Sequence, residues 1–141
     1  MPLRSGFDAA HFNRFGKDTF PGYVGLVITE VSDGLLKGEL ALRKALVAPN
    51  GYLHAGTIVA FADTLAGYGC VAHLPEGAQN FTTVELKTNF LGTATEGSLY
   101  GEASAVHLGR TTQVWDAVVM HGKERRKVAL FRCTQLILYP K

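Results

Sequence analysis

Residues 55–71, AGTIVAFADTLAGYGCV, decide the fold of this chain. Apolar side chains fall on nearly every side of a helix drawn through the stretch, among them Ile58, Phe61 and Leu65. A helix that is apolar all round is a buried helix, since an exposed one shows a polar face. It is the only long helix that the pattern predicts, so other elements must cover it on all sides.

Six other runs have the alternation or the β-branched content of strands. They lie at 24–31, 35–43, 81–91, 99–106, 111–120 and 128–139. The first two form a candidate hairpin, and short connections predict antiparallel neighbours among the last four. On the third run, Val84, Leu86 and Phe90 share one face, and Glu85 and Lys87 share the other. The sequence therefore predicts an α+β fold in which a curved antiparallel sheet wraps around one long central helix.

A length of 141 residues predicts a single domain over residues 1–141. Residues 1–21 precede the sheet. They contain a short helix from Asp8 to Phe15 that packs Phe12 and Phe15, followed by a break with Pro-Gly turn chemistry at 19–23.

Composition excludes several kinds of partner. The net charge of +2 is too small to indicate nucleic-acid binding. The N-terminus lacks the apolar core of a signal peptide, and no run of 18 apolar residues predicts a membrane span. Cys70 and Cys133 lie in apolar surroundings and are expected to be small buried residues, and no Cys/His spacing indicates a metal. A cytoplasmic protein with no metal and no membrane partner is expected.

Two features of the central stretch carry chemistry. Ala55 and Gly56 are small and leave the first N–H groups of the helix accessible, and such groups bind an oxyanion or a polarised carbonyl. Asp63 places a carboxylate inside the apolar helix, where burial is costly unless the group is paired or used. A structural acid that accepts hydrogen bonds from loop amides is the alternative role.

The spacing of these two features indicates a dimer. Asp63 lies eight residues after Ala55, or ~12 Å along a helix axis. One helix cannot easily offer both groups to one carbonyl. Two antiparallel copies can, each supplying its N-terminus to the carboxylate of the other.

The stretch also resembles a known family. His54-Ala55-Gly56 with Asp63 nine residues after the histidine, together with the strand Thr83–Leu91, is similar to the hot-dog thioesterases of the phenylacetate-degradation (PaaI) type and the 4-hydroxybenzoyl-CoA group. The resemblance implies a hot-dog fold and hydrolysis of acyl-CoA thioesters with an aryl or a short to medium acyl group. It implies a dimer or a dimer of dimers, with coenzyme A entering only as part of the substrate.

The same resemblance implies the catalytic roles. Asp63 acts as nucleophile or as general base, and the Ala55 N–H polarises the carbonyl. His54 orients the loop or contacts the substrate, and a capping histidine without chemistry is its alternative role. Thr83 provides a hydroxyl near the attacking water, contributed by the partner subunit.

The positioning amide departs from the family pattern. The family frequently has Asn or Gln six residues before the histidine, where this chain has Ala48. Asn50, four residues before the histidine, is the candidate replacement.

Four further residues are candidates for binding the acyl group or coenzyme A, namely Gly56, Tyr52, Asn89 and Arg110. The alternative role of Gly56 is to allow close packing of the helix on the sheet. The alternative for Arg110 is a solvated position in a turn. The basic run 123–127 is likewise a hairpin turn or a phosphate contact.

A non-catalytic acyl-CoA-binding module of the same fold is the alternative function. It would keep the pocket and has no use for the carboxylate of Asp63.

Overall fold

The computed structural model describes all 141 residues. The chain forms three α-helices, a short 3₁₀ turn at Lys44–Leu46 and six strands. The helices are α1 (Ala9–Phe15), α2 (Phe20–Val24) and α3 (Ala55–Ala72). The strands are β1 (Leu26–Ser32), β2 (Leu35–Ala41), β3 (Asn80–Phe90), β4 (Ser98–Leu108), β5 (Thr112–His121) and β6 (Arg126–Leu138).

The strands form one antiparallel sheet in the order β1-β2-β4-β5-β6-β3, and α3 packs on one of its faces. The predicted β1–β2 hairpin is present, and β4–β5 and β5–β6 are antiparallel neighbours as expected. The basic run 123–127 lies at the turn between β5 and β6. The predicted α+β fold, a curved sheet around one long helix, is confirmed.

The expected pairing of β3 with β4 is wrong. β3 pairs with β6 along its whole length, from Asn80 opposite Leu138 to Phe90 opposite Ala129. The turn residues of 91–97 break β3, but they do not close a hairpin. They lead the chain back to the middle of the sheet, where β4 pairs with β2 and β5. β3 is consequently an edge strand.

Two glycines let α3 lie close against the sheet. Gly38 on β2 and Gly101 on β4 stand opposite each other in register. A Cβ on Gly101 would lie 2.5 Å from Leu65 and 2.9 Å from Phe61, and a Cβ on Gly38 would lie 3.0 Å from Leu65. Both of these helix side chains are fully buried. The two glycines therefore leave space for the apolar side of α3 to pack on the sheet.

The sheet of one chain does not cover α3 on all sides, which corrects the expectation from its composition. Ala55 and Gly56 are exposed, and Val59, Ala60 and Asp63 are only half-buried. These positions recur every three to four residues and therefore form one stripe along the helix.

The apolar face of β3 that carries Val84, Leu86 and Phe90 is also open. The exposed fractions of Val84, Leu86 and Phe90 are 56%, 40% and 48%. A register irregularity lies between Thr83 and Glu85, and at the edge of the sheet no further strand covers these side chains.

The N-terminal segment differs from expectation in two ways. Phe12 is buried as predicted, but Phe15, the last residue of α1, is 63% exposed. The Pro-Gly segment forms α2 rather than a turn. Pro21 falls in the first turn of α2, where its missing N–H costs nothing, and Gly25 ends the helix in the left-handed region at φ +87°.

By length and composition alone α3 could cross a membrane, contrary to the expectation that no run could do so, but 61% of it is buried within the fold. Cys70 and Cys133 are free and buried, as expected.

Candidate active site

Asp63 is the one carboxylate on the central helix. Its side chain is half-buried, and its Oδ1 atom is buried without a hydrogen-bond partner. Burial raises the pKa of this carboxyl above the usual 3.8. The alternative role as a structural acid bonded to loop amides finds no support, since a structural carboxylate would satisfy both oxygens.

Asp63 opens into a cleft of about 250 Å³ between α3 and β3. Its walls are mainly apolar or aromatic and come from α1, α2, α3 and β3. The lining residues are Phe15, Pro21, Asp63, Thr64, Gly67, Tyr68, Val71, Asn80, Phe81 and Thr83. The combination of one unpaired carboxylate and apolar walls suits an acyl group whose reacting carbon lies beside Asp63.

The start of α3 leaves one backbone donor free. The Nδ1 atom of His54 accepts a hydrogen bond from the Gly56 N–H at 2.8 Å, and the Thr57 N–H donates to the His54 carbonyl. The Ala55 N–H has no partner within the chain. It is the free donor that the sequence predicted.

His54 therefore caps the helix, and the cap fixes the state of its ring. A neutral imidazole whose Nδ1 accepts carries its proton on Nε2. The exposed His54 ring thus presents an Nε2–H donor beside the free Ala55 N–H.

The start of α3 needs a glycine at position 56 for a local reason that the sequence did not indicate. A Cβ at this position would lie 2.9 Å from His54 Nδ1 and 3.1 Å from Cε1. The absence of a side chain at Gly56 leaves space for the His54 ring. The alternative role of Gly56, close packing of the helix on the sheet, is therefore wrong.

The free N–H and the carboxylate are separate within one chain. Ala55 is not among the residues that line the Asp63 cleft. The two lie eight positions apart on one continuous helix, or ~12 Å, as the sequence predicted.

Thr83 reaches the Asp63 cleft from the same chain, not from a partner as expected. Its hydroxyl donates a hydrogen bond of 2.7 Å to Oε1 of Gln135, which is fully buried on β6. The Nε2 of Gln135 donates to Sγ of Cys133 at 3.3 Å. Burial and, secondarily, the charge of Asp63 raise the pKa of the Cys133 thiol to about 12, so the thiol stays protonated.

The other candidates do not lie in this cleft. The Asn50 side chain accepts from the Tyr52 N–H within its own turn, and Tyr52 is exposed. Asn89 lines a separate hollow of about 340 Å³ with the ion pair of Asp116 and Arg132. Arg110 lies in the exposed β4–β5 connection, where Tyr139 donates to its carbonyl.

Several cleft residues were missed by sequence reasoning. Gly67 lies four residues after Asp63, so helical spacing could have placed it in the cleft. Phe15 was expected in the core, and nothing in the local pattern indicates that Gln135 contacts Thr83.

These features fit one class of protein, the hot-dog hydrolases of activated acyl groups. A model of the thioesterase superfamily matches residues 50–128. The chain belongs to this superfamily. No group of three or more His, Cys, Asp or Glu side chains is arranged to hold a metal ion.

Relatives agree with this assignment. The chain is 32% identical to the proofreading thioesterase EntH of Klebsiella pneumoniae, over 89% of this chain and 91% of the relative. It is 28% identical to the 1,4-dihydroxy-2-naphthoyl-CoA hydrolase of Escherichia coli, over 80% of this chain and 82% of the relative. A crystal structure of a mutant thioesterase from Pseudomonas aeruginosa superposes with a TM-score of 0.89 at 25% identity, covering 96% of this chain and 97% of that one. The predicted enzyme class, hydrolysis of acyl-CoA thioesters, is confirmed.

Proposed function

We propose that Asp63 of one protomer and the Ala55 N–H of its partner act on the same acyl-CoA thioester. The observation that carries this proposal is the unpaired Oδ1 of Asp63 in an apolar cleft. An aspartate left without a partner is costly to bury, so its retention there is explained by chemistry.

The reaction follows from these groups. The Ala55 N–H donates to the thioester oxygen and stabilises the negative charge that develops on it. Asp63 accepts a proton from water as the water oxygen bonds to the carbonyl carbon. The carbon–sulfur bond then breaks, and the leaving sulfur takes the proton held by Asp63. The products are the free acid and coenzyme A, and no other cofactor takes part.

Direct attack by Asp63 gives the same products through an anhydride. A single turnover in heavy-oxygen water separates general-base catalysis from an anhydride that is cleaved at the Asp63 carboxyl carbon. General-base catalysis places the label in the first product acid, whereas cleavage of the anhydride at the Asp63 carboxyl carbon leaves the first acid unlabelled.

The composite site requires a dimer. The half-buried stripe of α3 and the exposed apolar side chains of β3 lie on the open side of the molecule. A second, antiparallel copy placed there would cover both and would extend the sheet across the β3 edge. His54 and its Nε2–H would then reach the partner's thioester together with Ala55. A dimer of dimers is the proposed full assembly, and the cytoplasm is the proposed compartment, where the two free cysteines stay reduced.

The side chains that line the cleft and its volume limit the size and polarity of the acyl group. Phe15, Tyr68 and Phe81 supply aromatic walls, and Val71 supplies an aliphatic one. A volume of about 250 Å³ accommodates an aryl or a short to medium chain. We propose that Gly56, Tyr52, Asn89 and Arg110 bind coenzyme A from the partner's side of the site.

The test is thiol release from aryl, short, medium and long acyl-CoAs by the wild type and by Asp63→Asn. We expect kcat to fall at least ~100-fold in the variant, the scale of losing a catalytic proton acceptor. Glu30→Gln is the matched control, since Glu30 pairs with Lys37 outside the cleft. Full activity of Asp63→Asn would overturn the assignment, and binding without turnover by the wild type would favour the acyl-CoA-binding module.

A further inference from the structure

A buried glutamine lies behind the cleft, at a position where the fold calls for an apolar residue. The inward-facing residues around it on β6 are Phe131, Cys133 and Ile137, all buried. Gln135 is also fully buried. A buried amide is costly unless its donor and acceptor are both used, so its partners indicate why it is there.

Both ends of the Gln135 amide are used. Its Nε2 donates to Sγ of Cys133 at 3.3 Å, and its Oε1 accepts the Thr83 hydroxyl at 2.7 Å. In this orientation of the amide, the oxygen faces Thr83. The inward side of β3 places Thr83 directly opposite Gln135 in register.

This contact determines what Thr83 can do in the cleft. A hydroxyl has one hydrogen to donate and two lone pairs that accept. Since the hydrogen is committed to Gln135, the Thr83 oxygen faces the cleft only as an acceptor. A water molecule there can give one hydrogen to Asp63 and the other to Thr83, and its free lone pair is then directed at the carbonyl carbon.

We propose that Gln135 is a positioning residue for hydrolysis, which holds the Thr83 hydroxyl as an acceptor for the attacking water. The inference rests on the proposed function, because it needs Asp63 as the base in the same cleft. Gln135 touches neither water nor substrate and acts through Thr83 alone.

The chain offers a matched control in Gln113, the register partner of Gln135 on β5. It is equally buried, but its amide bonds to the His73 carbonyl and to Trp115 Nε1. Gln113 does not contact Thr83 and does not line the cleft. Loss of a buried glutamine as such is therefore separable from loss of the contact with Thr83.

The test is a double-mutant cycle in kcat with Thr83→Val and Gln135→Met. We expect each change to lower kcat about 10-fold with KM nearly unchanged, the size of one hydrogen bond acting in the transition state. The double variant should lose about the same 10-fold, because Gln135 has nothing left to position. Gln113→Met should keep kcat within about twofold, the effect of a substitution outside the site.

Conservative variants keep the test decisive if Gln135→Met unfolds. Gln135→Glu in its protonated form and Thr83→Ser both retain the bond, and we expect kcat near wild type. Independent, multiplying losses in the double variant, or unchanged kcat in a folded Gln135→Met, would overturn the inference. Low kcat in a folded Gln135→Glu would overturn it as well. The Asp63→Asn result separates this failure from failure of the proposed function, because that variant loses activity whether or not Gln135 matters.

Discussion

At the scale of single residues, Asp63 couples activity and stability to pH in opposite senses. Burial raises its pKa in the folded protein, so the carboxylate needed as base forms only above the usual range. We expect kcat to fall as pH falls through this raised pKa, with an acidic limb above pH 3.8. The measurement is kcat against pH for the wild type, and a limb at the ordinary aspartate value would contradict the assignment.

The stability prediction for Asp63 follows from the same shift. The folded state holds the proton more tightly than the unfolded state, so the free energy of unfolding decreases as pH rises from the ordinary to the raised pKa. Asparagine has no such dependence. We expect Asp63→Asn to be more stable than the wild type by about 1 kcal/mol at neutral pH, the cost of an unsatisfied buried group. Thermal unfolding of both proteins from about pH 4 to about pH 8 checks this, and an advantage that shrinks with rising pH would refute it.

His54 caps the start of α3, and a substitution can separate this structural role from a role in catalysis. Serine is a good N-cap, so His54→Ser keeps the start of α3 while removing the Nε2–H. We expect unchanged thermal stability with kcat lowered about 10-fold, the worth of one hydrogen bond to the transition state. Wild-type kcat in His54→Ser would leave His54 as a cap only.

Gly56→Ala changes the other partner of the capping hydrogen bond. Its methyl group would displace the His54 ring and remove the cap, at a cost of about 1 kcal/mol. This cost offsets the similar gain that alanine brings to a helix, so we expect no net stabilisation in thermal unfolding.

At the scale of elements, α1 contributes a wall of the acyl cleft. Phe15 is 63% exposed yet lines the same cleft as Asp63. We expect Phe15→Ala to raise KM for aryl and medium-chain substrates by about 10-fold, through loss of apolar contact, and to leave acetyl-CoA turnover nearly unchanged.

A phenylalanine outside the cleft is the control for Phe15. Phe20 on α2 is 59% exposed and does not line the cleft. Phe20→Ala should keep the wild-type preference. An equal effect of both substitutions on all substrates would place Phe15 outside the acyl site.

At the scale of the whole molecule, the two edges of the sheet predict different behaviour. β3 presents Val84, Leu86 and Phe90 at one edge, and β1 presents Val27, 44% exposed, at the other. We expect Leu86→Lys to weaken the dimer and to lower activity with it, since a charge would be buried at the interface. Light scattering coupled to gel filtration measures the mass.

Val27→Lys on β1 is the matched control for this edge. It should keep both mass and activity at wild-type values. A stable, active monomer of the wild type would refute the composite site.

Local patterns were sufficient to predict much of this protein. The apolar run 55–71 predicted α3, alternation predicted the strands, and the spacing of Ala55 and Asp63 predicted that one chain separates donor from carboxylate. Each of these depends on residues close in sequence, where helical or strand periodicity fixes geometry.

Tertiary structure alone decided the rest. The pairing of β3 with β6 depends on which edge of the sheet remains free, and no turn residue encodes that. The contact of Thr83 with Gln135, 52 residues apart, follows from that pairing, and the exposure of Phe15 depends on where α1 packs. Such contacts arise because packing α3 against the sheet brings distant segments together, and a single sequence records the side chains without recording which of them meet.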